Sequence, residues 1–476
     1  MFLRLKKNFK PIAYDDYFEL FDNNTGKEYY LSEDQRQFVL SLNGLKKEEE
    51  ILADYNKKSQ LIIGKFLKEL EKLDAIERIS FPKIRLFSKT SPSPYLEAVV
   101  WDITSLCNLK CAHCYVSDYF NEKKGKDLST IEVYRVIEEM TSMNIKEVAL
   151  TGGEPLLRED IQDIIKRLVE SGIRFTAFFT NGMATTTNFV SFLKSLAPSR
   201  IQICHSLDGI TPESNAVIRG KKTSSTKVFR KMIQSIKMFV GAGMLVNVGT
   251  TIHRFNVHNI IEMYSFMKDL GIEQWRITIP KPMGRFSINQ DKIIADWKDI
   301  FKAYRQLIDL HLKEVRVVDD KTIAPINLEI EQVFRTNLLV KTLNTFQKND
   351  IACFYHKNRC SLKANGDIIP CGYFDDIIVG NVRNNGLRKV WESQKMQKIK
   401  HICVSEINDC QDCSILWLCG TGCRALAQKI NGKIIAKDPY ACHQFSFLYE
   451  IVLPLLKKYG FTIKISERCS EFTILK

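Results

Sequence analysis

The spacing of its cysteines limits what this 476-residue chain can fold into more than any other feature. Three of the 14 cysteines stand close together in CNLKCAHCY, at Cys107, Cys111 and Cys114, and most of the others lie between Cys353 and Cys442. In a reducing compartment, cysteines at short spacings are metal ligands or redox groups more often than disulfides. A closed metal site uses four ligands, so the group of three needs its own explanation.

Composition and charge are typical of a globular protein of several domains. Hydrophobic residues make up 45% of the chain, and its length is enough for about three domains of ordinary size. The opening stretch MFLRLKKNFKPIAYDD has no signal-peptide core, and no uncharged run reaches the roughly 18 residues of a membrane helix. We therefore expect a cytoplasmic protein that binds no membrane. The net charge of +14 comes from scattered lysines, which favours a solvated surface over a nucleic-acid-binding arm.

The first segment, residues 1–88, is predicted to be a small sheet followed by three helices. The run PIAYDDYFELFDNNTGKEYYL contains two strand-like stretches joined by an Asn- and Gly-rich turn. The first helix has Ser32 and Gln35 in capping-box spacing and Gly44 as its expected end, and a short charged helix is expected around 46–55. Apolar residues at helical spacing predict a third helix: Ile62, Ile63, Phe66, Leu67, Leu70 and Leu73. This order predicts a winged-helix-like unit.

The second segment, residues 94–320, alternates short apolar strands with amphipathic helices, which predicts a parallel α/β fold. The predicted strands are EAVVWDIT, KEVALTG, RFTAFFT, RIQICHS, LVNVGTTI and QWRITIP. Such folds carry their chemistry at the carboxyl ends of the strands, and the three-cysteine loop directly follows the first strand. The third segment, residues 325–455, loses this alternation and is rich in Cys and Gly, and residues 456–476 form a tail.

Three thiolates leave one iron of a 4Fe-4S cluster without a protein ligand, because a cluster held by protein alone uses four. The C-x3-C-x2-C spacing with Tyr115 directly after it resembles the radical SAM enzymes. This resemblance implies that the open iron binds S-adenosylmethionine and that its reductive cleavage yields a 5'-deoxyadenosyl radical. From the residues alone, a zinc site that takes a fourth ligand such as His113 is the alternative.

Further residues at successive predicted strand ends resemble motifs of the same family. They lie in LTGGEPL, FTNG, HSLDG and NAVIRG. The resemblance implies that the first of these motifs receives the ammonium of the methionine part and that the last two hold the ribose and the carboxylate. A guanidinium suits a carboxylate because its fork donates two parallel hydrogen bonds. The expected cofactor-binding residues are Tyr115, Gly152, Gly153, Glu154, Thr180, Asn181, Ser206, Asp208 and Arg219.

Eight cysteines of the third segment are enough for two closed 4Fe-4S clusters. Their spacing resembles the SPASM domain of radical SAM peptide-modifying enzymes. The resemblance implies an interleaved pattern, with a first auxiliary cluster on Cys353, Cys360, Cys371 and Cys423 and a second on Cys410, Cys413, Cys419 and Cys442. Two zinc sites are the alternative, since thiolates also select zinc. Cys204, Cys403 and Cys469 fit neither pattern.

The order of the segments indicates the substrate. Strands and three helices ahead of a radical SAM core resemble the recognition element of ribosomal-peptide biosynthesis, in which the leader of a precursor peptide adds as a strand to a small sheet. A DNA-binding winged helix is the alternative, but the third helix alternates Lys with Glu and lacks the run of Arg and Asn that would read bases. The expected fold is therefore an α/β, partial (β/α)6 radical SAM barrel between a winged-helix-like domain and a cysteine-rich SPASM domain.

We expect an enzyme that uses S-adenosylmethionine and three 4Fe-4S clusters, with a flavodoxin or ferredoxin as reductase and no nucleic acid as partner. Thioether formation between a Cys and a carbon of another residue is the first expectation, and carbon-carbon or carbon-oxygen cross-linking the second. A sulfatase-maturing enzyme is disfavoured, because that subfamily has an Asp next to the cysteine that corresponds to Cys371, where this chain has Gly372. The general base is therefore unassigned. A zinc-bearing peptide- or DNA-binding scaffold is the non-enzymatic alternative.

Overall fold

The computed structural model describes residues 1–13, 18–83, 95–116, 126–196, 201–220, 225–319, 321–353, 357–465 and 471–475. The predicted boundary between the first two segments, at 88–94, and Cys469 lie outside these residues. Among the helices described, none is both long enough and apolar enough to cross a membrane.

The N-terminal unit contains two three-stranded antiparallel sheets and three helices. The order of the first sheet is β2-β3-β4, and in the second sheet β1 lies between β5 and β6. A shared core, which includes Leu3, Phe38, Ile63 and Leu70, joins both sheets to the helices. The strands are β1 (Phe2–Leu5), β2 (Phe9–Ala13), β3 (Phe18–Asp22), β4 (Glu28–Leu31), β5 (Asn43–Lys47) and β6 (Ile76–Ile79), and the helices are α1 (Glu33–Ser41), α2 (Glu48–Ala53) and α3 (Lys57–Lys72).

Local predictions for this unit are mostly confirmed, with one correction. The capping box of Ser32 and Gln35 is present, because the Ser32 side chain accepts from the Gln35 backbone and the Gln35 side chain accepts from the Ser32 backbone. The predicted helix end at Gly44 is wrong: α1 ends at Ser41, and Gly44 lies in β5 with φ +83°. The predicted third helix is present as α3, on which Ile63, Phe66, Leu67 and Leu70 are buried and Ile62 is 45% exposed. The strands β1, β5 and β6 were not predicted, because their pairing is long-range.

The second segment forms the predicted parallel sheet. All six predicted strands are present: β7 (Ala98–Thr104), β8 (Glu147–Gly152), β9 (Arg174–Thr180), β10 (Gln202–Ser206), β11 (Leu245–Thr251) and β12 (Gln274–Thr278). The helices are α4 (Thr130–Ser142), α5 (Ile161–Glu170), α6 (Thr187–Ser195), α7 (Pro212–Arg219), α8 (Ser225–Gly241), α9 (Ile260–Asp269), α10 (Gly284–Ile293) and α11 (Trp297–Glu314). This arrangement confirms the expected partial-barrel fold.

The two faces of the sheet differ because side chains alternate along each strand. Trp101, Leu150, Phe178 and Trp275 point to the face that the helices cover, and they belong to the main hydrophobic core. The residues between them on each strand are mostly polar or small, with Phe179 and Val100 as exceptions, and they line the opposite, concave face. The concave set includes Val100, Asp102, Ala149, Thr151, Phe179, Cys204, Ser206, Gly249, Arg276 and Thr278.

The sheet extends beyond the predicted end of the second segment on both edges. Strand β15 (Asn327–Ile330) pairs in parallel with β12, and β18 (Arg359–Leu362) pairs in parallel with β7, which gives eleven strands in all. The remaining strands are β13 (Arg316–Val318), β14 (Lys321–Ile323), β16 (Phe334–Arg335), β17 (Thr342–Asn344), β19 (Asp367–Ile369), β20 (Gly380–Asn381), β21 (Thr462–Ile465) and β22 (Glu471–Leu475).

The cysteine-rich segment also contains short helices. They are α12 (Val382–Asn385), α13 (Leu387–Trp391), α14 (Gln394–Lys400), α15 (Leu416–Cys419), α16 (Arg424–Asn431), α17 (Pro439–Phe447) and α18 (Leu453–Lys458). A π-helical turn, Leu448–Val452, joins the last two. Because β18 lies beside β7, this segment adjoins the strand that leads into the three-cysteine loop.

A buried ion-pair cluster joins the N-terminal unit to the barrel. Lys146, 2% exposed, precedes β8 and pairs with Glu19 of β3 and with Glu28 of β4, the latter at 2.8 Å between Nζ and Oε1. Lys10 of β2 donates to the carbonyl of Ile145 at 3.0 Å. Removing one partner of a buried ion pair leaves the other charge uncompensated, which is strongly destabilising. These contacts therefore hold the N-terminal unit against the amino-terminal side of the sheet.

Candidate active site

The loop after β7 carries the three-cysteine group and is held from two directions. The amide of Ala112 donates to the carbonyl of Ile218 at the end of α7, and the amide of Arg285 in α10 donates to the carbonyl of Cys114. Burial raises the pKa of Cys107 and Cys111, and it raises the pKa of Cys114 to about 11. The thiols are therefore sites where a bound cation would favour the thiolate form.

The glycines after β8 allow the backbone to pass close to this loop. A Cβ on Gly153 would lie 2.0 Å from the carbonyl oxygen of Leu106, which is inside any van der Waals contact. Gly152 has φ +129°, a conformation that side chains rarely adopt. The Glu154 amide then donates to the same Leu106 carbonyl at 2.7 Å. The GG pair thus fixes Glu154 directly beneath the cysteine loop.

Glu154 is fully buried and interacts with the loop after β9. Its two carboxylate oxygens accept hydrogen bonds from the Thr180 hydroxyl and from the Asn181 amide, both at 2.7 Å. Burial raises the pKa of Glu154 to about 7. Within the described ranges no cationic side chain pairs with this carboxylate, which makes it suited to an ammonium group of a ligand. The Asn181 amide group also approaches the Cys107 sulfur at 3.9 Å.

The ends of β10 and α7 bring Asp208 and Arg219 together. Arg219 Nε lies 2.7 Å from Asp208 Oδ2, and Arg219 Nη1 lies 3.8 Å from Cys111 Sγ. Although burial opposes it, the guanidinium lowers the pKa of Asp208. His113 faces the same carboxylate at 3.6 Å, and burial lowers the pKa of His113 to about 4. His113 therefore contacts Asp208. This contact does not support the alternative in which His113 is the fourth ligand of a zinc site.

Tyr115 connects the cysteine loop to the cysteine-rich segment. Its ring meets the ring of Tyr373 edge-on, with 5.4 Å between centroids. A Cβ on Gly372 would lie 3.8 Å from the Tyr115 ring and 3.8 Å from the Ser361 hydroxyl. Gly372 therefore faces the site, but it offers no base there. Ser206, at the end of β10, is half-buried, and its carbonyl contacts the ring of His205.

The C-terminal cysteines fall into two neighbourhoods. Cys371 interacts electrostatically with Cys353, and Cys423 interacts with both. Cys360 shares the neighbour Lys400 with Cys353 and Cys371. Burial raises the pKa of Cys360 to about 12 and that of Cys371 to about 11. These four residues form the first neighbourhood.

The second neighbourhood joins the remaining four predicted ligands. Cys410 and Cys419 both interact with Cys442, which in turn interacts with Cys413. Burial raises the pKa of Cys410 to about 11. Asp438 holds the segment between the neighbourhoods, because its carboxylate accepts from the Cys423 amide at 2.8 Å and caps α17 through the Tyr440 amide. Cys403 belongs to neither neighbourhood and lies next to the carbonyl of His401.

The described residues contain no set of three or more His, Cys, Asp or Glu side chains that converges on one metal-ion position. The donor set, by contrast, fits clusters of iron and sulfide. It consists of grouped thiols, of which Cys360, Cys371 and Cys410 are buried, with the Leu109 backbone N–H near Cys107. Arg219 lies beside the three-cysteine loop, and Lys400 lies beside the first C-terminal neighbourhood. Thiolates are the ordinary protein ligands of such clusters, and nearby hydrogen bonds and charge set their properties.

Residues 101–268 match the Radical SAM superfamily, and residues 353–414 match SPASM, an iron-sulfur cluster-binding domain. Residues 101–268 therefore form a radical SAM domain. This confirms the family and the domain type that the cysteine spacing predicted. A radical SAM domain implies S-adenosylmethionine and a 4Fe-4S cluster as cofactors, and the SPASM match indicates auxiliary iron-sulfur binding.

Individual relatives differ in what they act on. An AdoMet-dependent heme synthase of Methanosarcina barkeri is 25% identical over 350 residues, which cover 73% of this chain and 96% of the relative. The mycofactocin maturase MftC of Mycobacterium tuberculosis is 25% identical over 338 residues, 69% of this chain and 78% of the relative. The structure of Streptococcus suis SuiB bound to its precursor peptide SuiA superposes with a TM-score of 0.64 at 16% identity and covers 92% of this chain and 99% of that one.

Sequence reasoning missed several residues of this radical SAM site. His253 and Asn256 follow β11, and the Asn256 amide group donates to the carbonyls of Asp208 and Thr251. Their position after a predicted strand was a usable signal. No sequence signal marked Asp102, on the concave face of β7, because it lies inside a strand. Burial raises the pKa of Asp102 to about 6, and its described electrostatic partner is Lys363.

Proposed function

We propose that this radical SAM enzyme modifies a ribosomally made precursor peptide and forms a thioether between a Cys and a carbon of another residue. The N-terminal unit carries the proposal. It folds as sheets and helices ahead of the barrel, and the likeness to SuiB spans 92% of the chain, whereas the heme synthase match spans 73%. A small-molecule enzyme has no evident use for such a unit, while peptide recognition by strand addition requires a small sheet.

The leader is proposed to bind at the N-terminal unit, along β4. This strand is one edge of its sheet, and β2 is the other edge, which packs towards the barrel through Lys10. Glu28, the first residue of β4, also pairs with Lys146 of the barrel. The unit also exposes large apolar side chains on α3: Leu61 is 66% and Ile62 is 45% exposed. Exposed apolar side chains are typical of a peptide-binding surface.

The cofactor residues are proposed by position. Cys107, Cys111 and Cys114 would hold the S-adenosylmethionine-binding cluster, which supplies a 5'-deoxyadenosyl radical on one-electron reduction. Glu154 would accept the ammonium of S-adenosylmethionine, since its buried carboxylate has no described cationic partner. The Gly152–Gly153 backbone lets the ligand approach closely. Asp208 orients Arg219 through their ion pair, and Asn256 supports the carbonyl of Asp208.

The cysteine-rich segment is proposed to hold two auxiliary clusters in the interleaved pattern expected from the sequence. The two neighbourhoods of thiols support this assignment. Closing one thioether removes two hydrogens from the peptide: a hydrogen atom goes to the deoxyadenosyl group, and a proton and an electron leave separately. An auxiliary iron-sulfur cluster is the proposed electron acceptor. Tyr115 of the cysteine loop contacts Tyr373, which interacts electrostatically with Cys423 of the first neighbourhood.

Tetrapyrrole modification is the second candidate, because the heme synthase relatives match the barrel and the cysteine-rich segment over most of their own length. It leaves the N-terminal unit without a role. Carbon-carbon and carbon-oxygen cross-linking are the alternatives within the peptide class.

The test uses the reconstituted full chain with S-adenosylmethionine and dithionite. The probes are the peptides encoded by short reading frames beside its gene and, separately, Fe-coproporphyrin III. We expect one peptide to lose two hydrogens per ring, with one fewer alkylatable thiol for each thioether. A mass loss with all thiols still alkylatable would favour carbon-carbon or carbon-oxygen linkage. Turnover of the tetrapyrrole with no change in any peptide would overturn the proposal.

A further inference from the structure

Lys400 is a fully buried lysine at the last position of α14. Its ammonium donates to the carbonyl of Arg359 and, at 3.0 Å, to the carbonyl of Pro370. Arg359 directly precedes Cys360, and Pro370 directly precedes Cys371. One side chain therefore joins β18, which carries Cys360, to the segment directly after β19, which carries Cys371, and in each case it binds the residue before the cysteine.

The charge of Lys400 also faces that neighbourhood. Its electrostatic neighbours include Cys353, Cys360 and Cys371. The face of the Trp391 ring lies on another side, with its centroid 5.1 Å from Nζ. Burying an ammonium is costly unless an anion or a set of acceptors compensates for it. Carbonyls, an aromatic face and thiols that become thiolates on metal binding together provide that compensation.

We propose that Lys400 positions Cys360 and Cys371 and places a fixed positive charge beside the auxiliary cluster of the first neighbourhood, which raises the reduction potential of that cluster. The inference rests on the proposed function, because it takes this neighbourhood as an iron-sulfur site. Cluster potentials depend on net charge, hydrogen bonding and exposure, and a buried cation stabilises the reduced, more negative state. A cluster held beside Lys400 would then be the better acceptor for the electron released when the carbon–sulfur bond of the thioether forms.

The test compares Lys400→Met, which has similar length and no charge, with Lys400→Arg, which keeps the charge. Lys395→Met is the matched control, because Lys395 lies on the same helix, is exposed and donates to the distant carbonyl of Ile378. All variants are made in a Cys107→Ala, Cys111→Ala, Cys114→Ala background, so that only auxiliary clusters remain. Iron content, thermal melting and electron paramagnetic resonance during a reductive titration are measured without peptide or S-adenosylmethionine.

We expect Lys400→Met to lower the reduction potential of one of the two clusters by about 59 mV or more. For one electron, this shift is a tenfold change in the reduction equilibrium constant. The other signal should stay in place as an internal reference. Lys400→Arg and Lys395→Met should match the parent. Loss of one cluster from Lys400→Met but not from Lys400→Arg would also support the positioning role.

Two results would contradict the inference. An unchanged potential in an iron-replete Lys400→Met variant would overturn the role of Lys400 and leave the proposed function standing. Equal cluster loss in Lys400→Met and Lys400→Arg would show that charge is irrelevant at this position. Zinc in place of iron in the parent protein would instead overturn the auxiliary-cluster assignment itself. The metal analysis of the parent protein detects that outcome independently of the Lys400 variants.

Discussion

Arg219 and Asp208 form a buried ion pair, with 2.7 Å between Nε and Oδ2, directly beside the three-cysteine loop. Neither side chain is more than 8% exposed. The pair joins the end of α7 to the end of β10, and Arg219 also reaches Cys111. Because both charges are buried, each depends on the other, and this coupling leads to a first prediction.

Replacing Arg219 by Met should destabilise the protein by about 3–5 kcal/mol, because it leaves the Asp208 carboxylate buried and unpaired. Adding Asp208→Asn in the same chain should recover part of the loss. Thermal denaturation of the two single variants and the double variant measures the coupling. Arg167→Met is the control, since the exposed Arg167–Glu138 pair should contribute at most about 1 kcal/mol. Strictly additive effects would show that the pair is not coupled.

Replacing Cys107, Cys111 and Cys114 together by Ala should lower the iron content by about four per chain and abolish reductive cleavage of S-adenosylmethionine. The proposed auxiliary clusters would be held by other cysteines and should remain. Iron analysis and detection of 5'-deoxyadenosine measure the two effects. Cys204→Ala should leave the iron content unchanged, because Cys204 lies outside all three groups of ligands. Cleavage that persists in the triple variant would refute the assignment of this loop.

Gly153→Ala should weaken S-adenosylmethionine binding by tenfold or more. The added methyl group would lie 2.0 Å from the Leu106 carbonyl, so the cysteine loop must move away from Glu154. Equilibrium binding to the reconstituted protein measures the loss. Gly64→Ala is the matched control, because nothing lies within 4 Å of a Cβ at that helical position. Equal affinities of the two variants would argue against close packing of the GG pair in the ligand-bound protein.

Replacing Leu61 and Ile62 together by Glu should weaken binding of the precursor peptide by at least tenfold, while cleavage of S-adenosylmethionine without peptide should be unchanged. The two side chains are exposed, so the fold should tolerate the change. Fluorescence anisotropy with the labelled neighbouring-gene peptide measures the affinity. Ile131→Glu, at a 66% exposed position on α4, tests whether added charge alone has an effect. Unchanged peptide affinity would exclude this surface of α3.

Asp102 predicts a specific pH dependence of stability. Burial raises its pKa from 3.8 to about 6 in the folded protein. The folded state therefore binds a proton that the unfolded state has released, so stability decreases as the pH rises from about 4 to about 6 and is then constant. The shift corresponds to about 3 kcal/mol. Asp102→Asn should be more stable than wild type at neutral pH and should match it near pH 4, as measured by melting temperature. An Asn variant less stable at neutral pH would show that the ionised carboxylate is stabilising.

Local patterns were sufficient for a large part of this fold. The capping box at Ser32 and Gln35 uses atoms three residues apart, and the six parallel strands show as apolar runs between amphipathic helices. The cysteine spacing identified the family for the same reason, because ligands of one loop are close in the chain. Wherever contacting groups are sequence neighbours, the chain itself specifies their geometry.

Long-range contacts could not be predicted from local sequence patterns. The pairing of β1 with β5 and β6, and of β18 with β7, joins residues far apart in the chain. Gly44 looked like a helix end, but α1 stops earlier because the chain turns to join β1. Among many scattered lysines, nothing in the sequence distinguished Lys400 or Lys146.

The sequence by itself determined the parallel barrel, the position of the three-cysteine loop on its carboxyl edge and the radical SAM family, because each depends on spacing along the chain. Tertiary structure alone decided that Arg219 pairs with Asp208, that Lys146 joins the N-terminal unit to the barrel and that Lys400 links the carbonyls before Cys360 and Cys371. The physical reason is burial: a charged side chain removed from water must find its partner wherever packing brings one, and packing is a property of the whole fold.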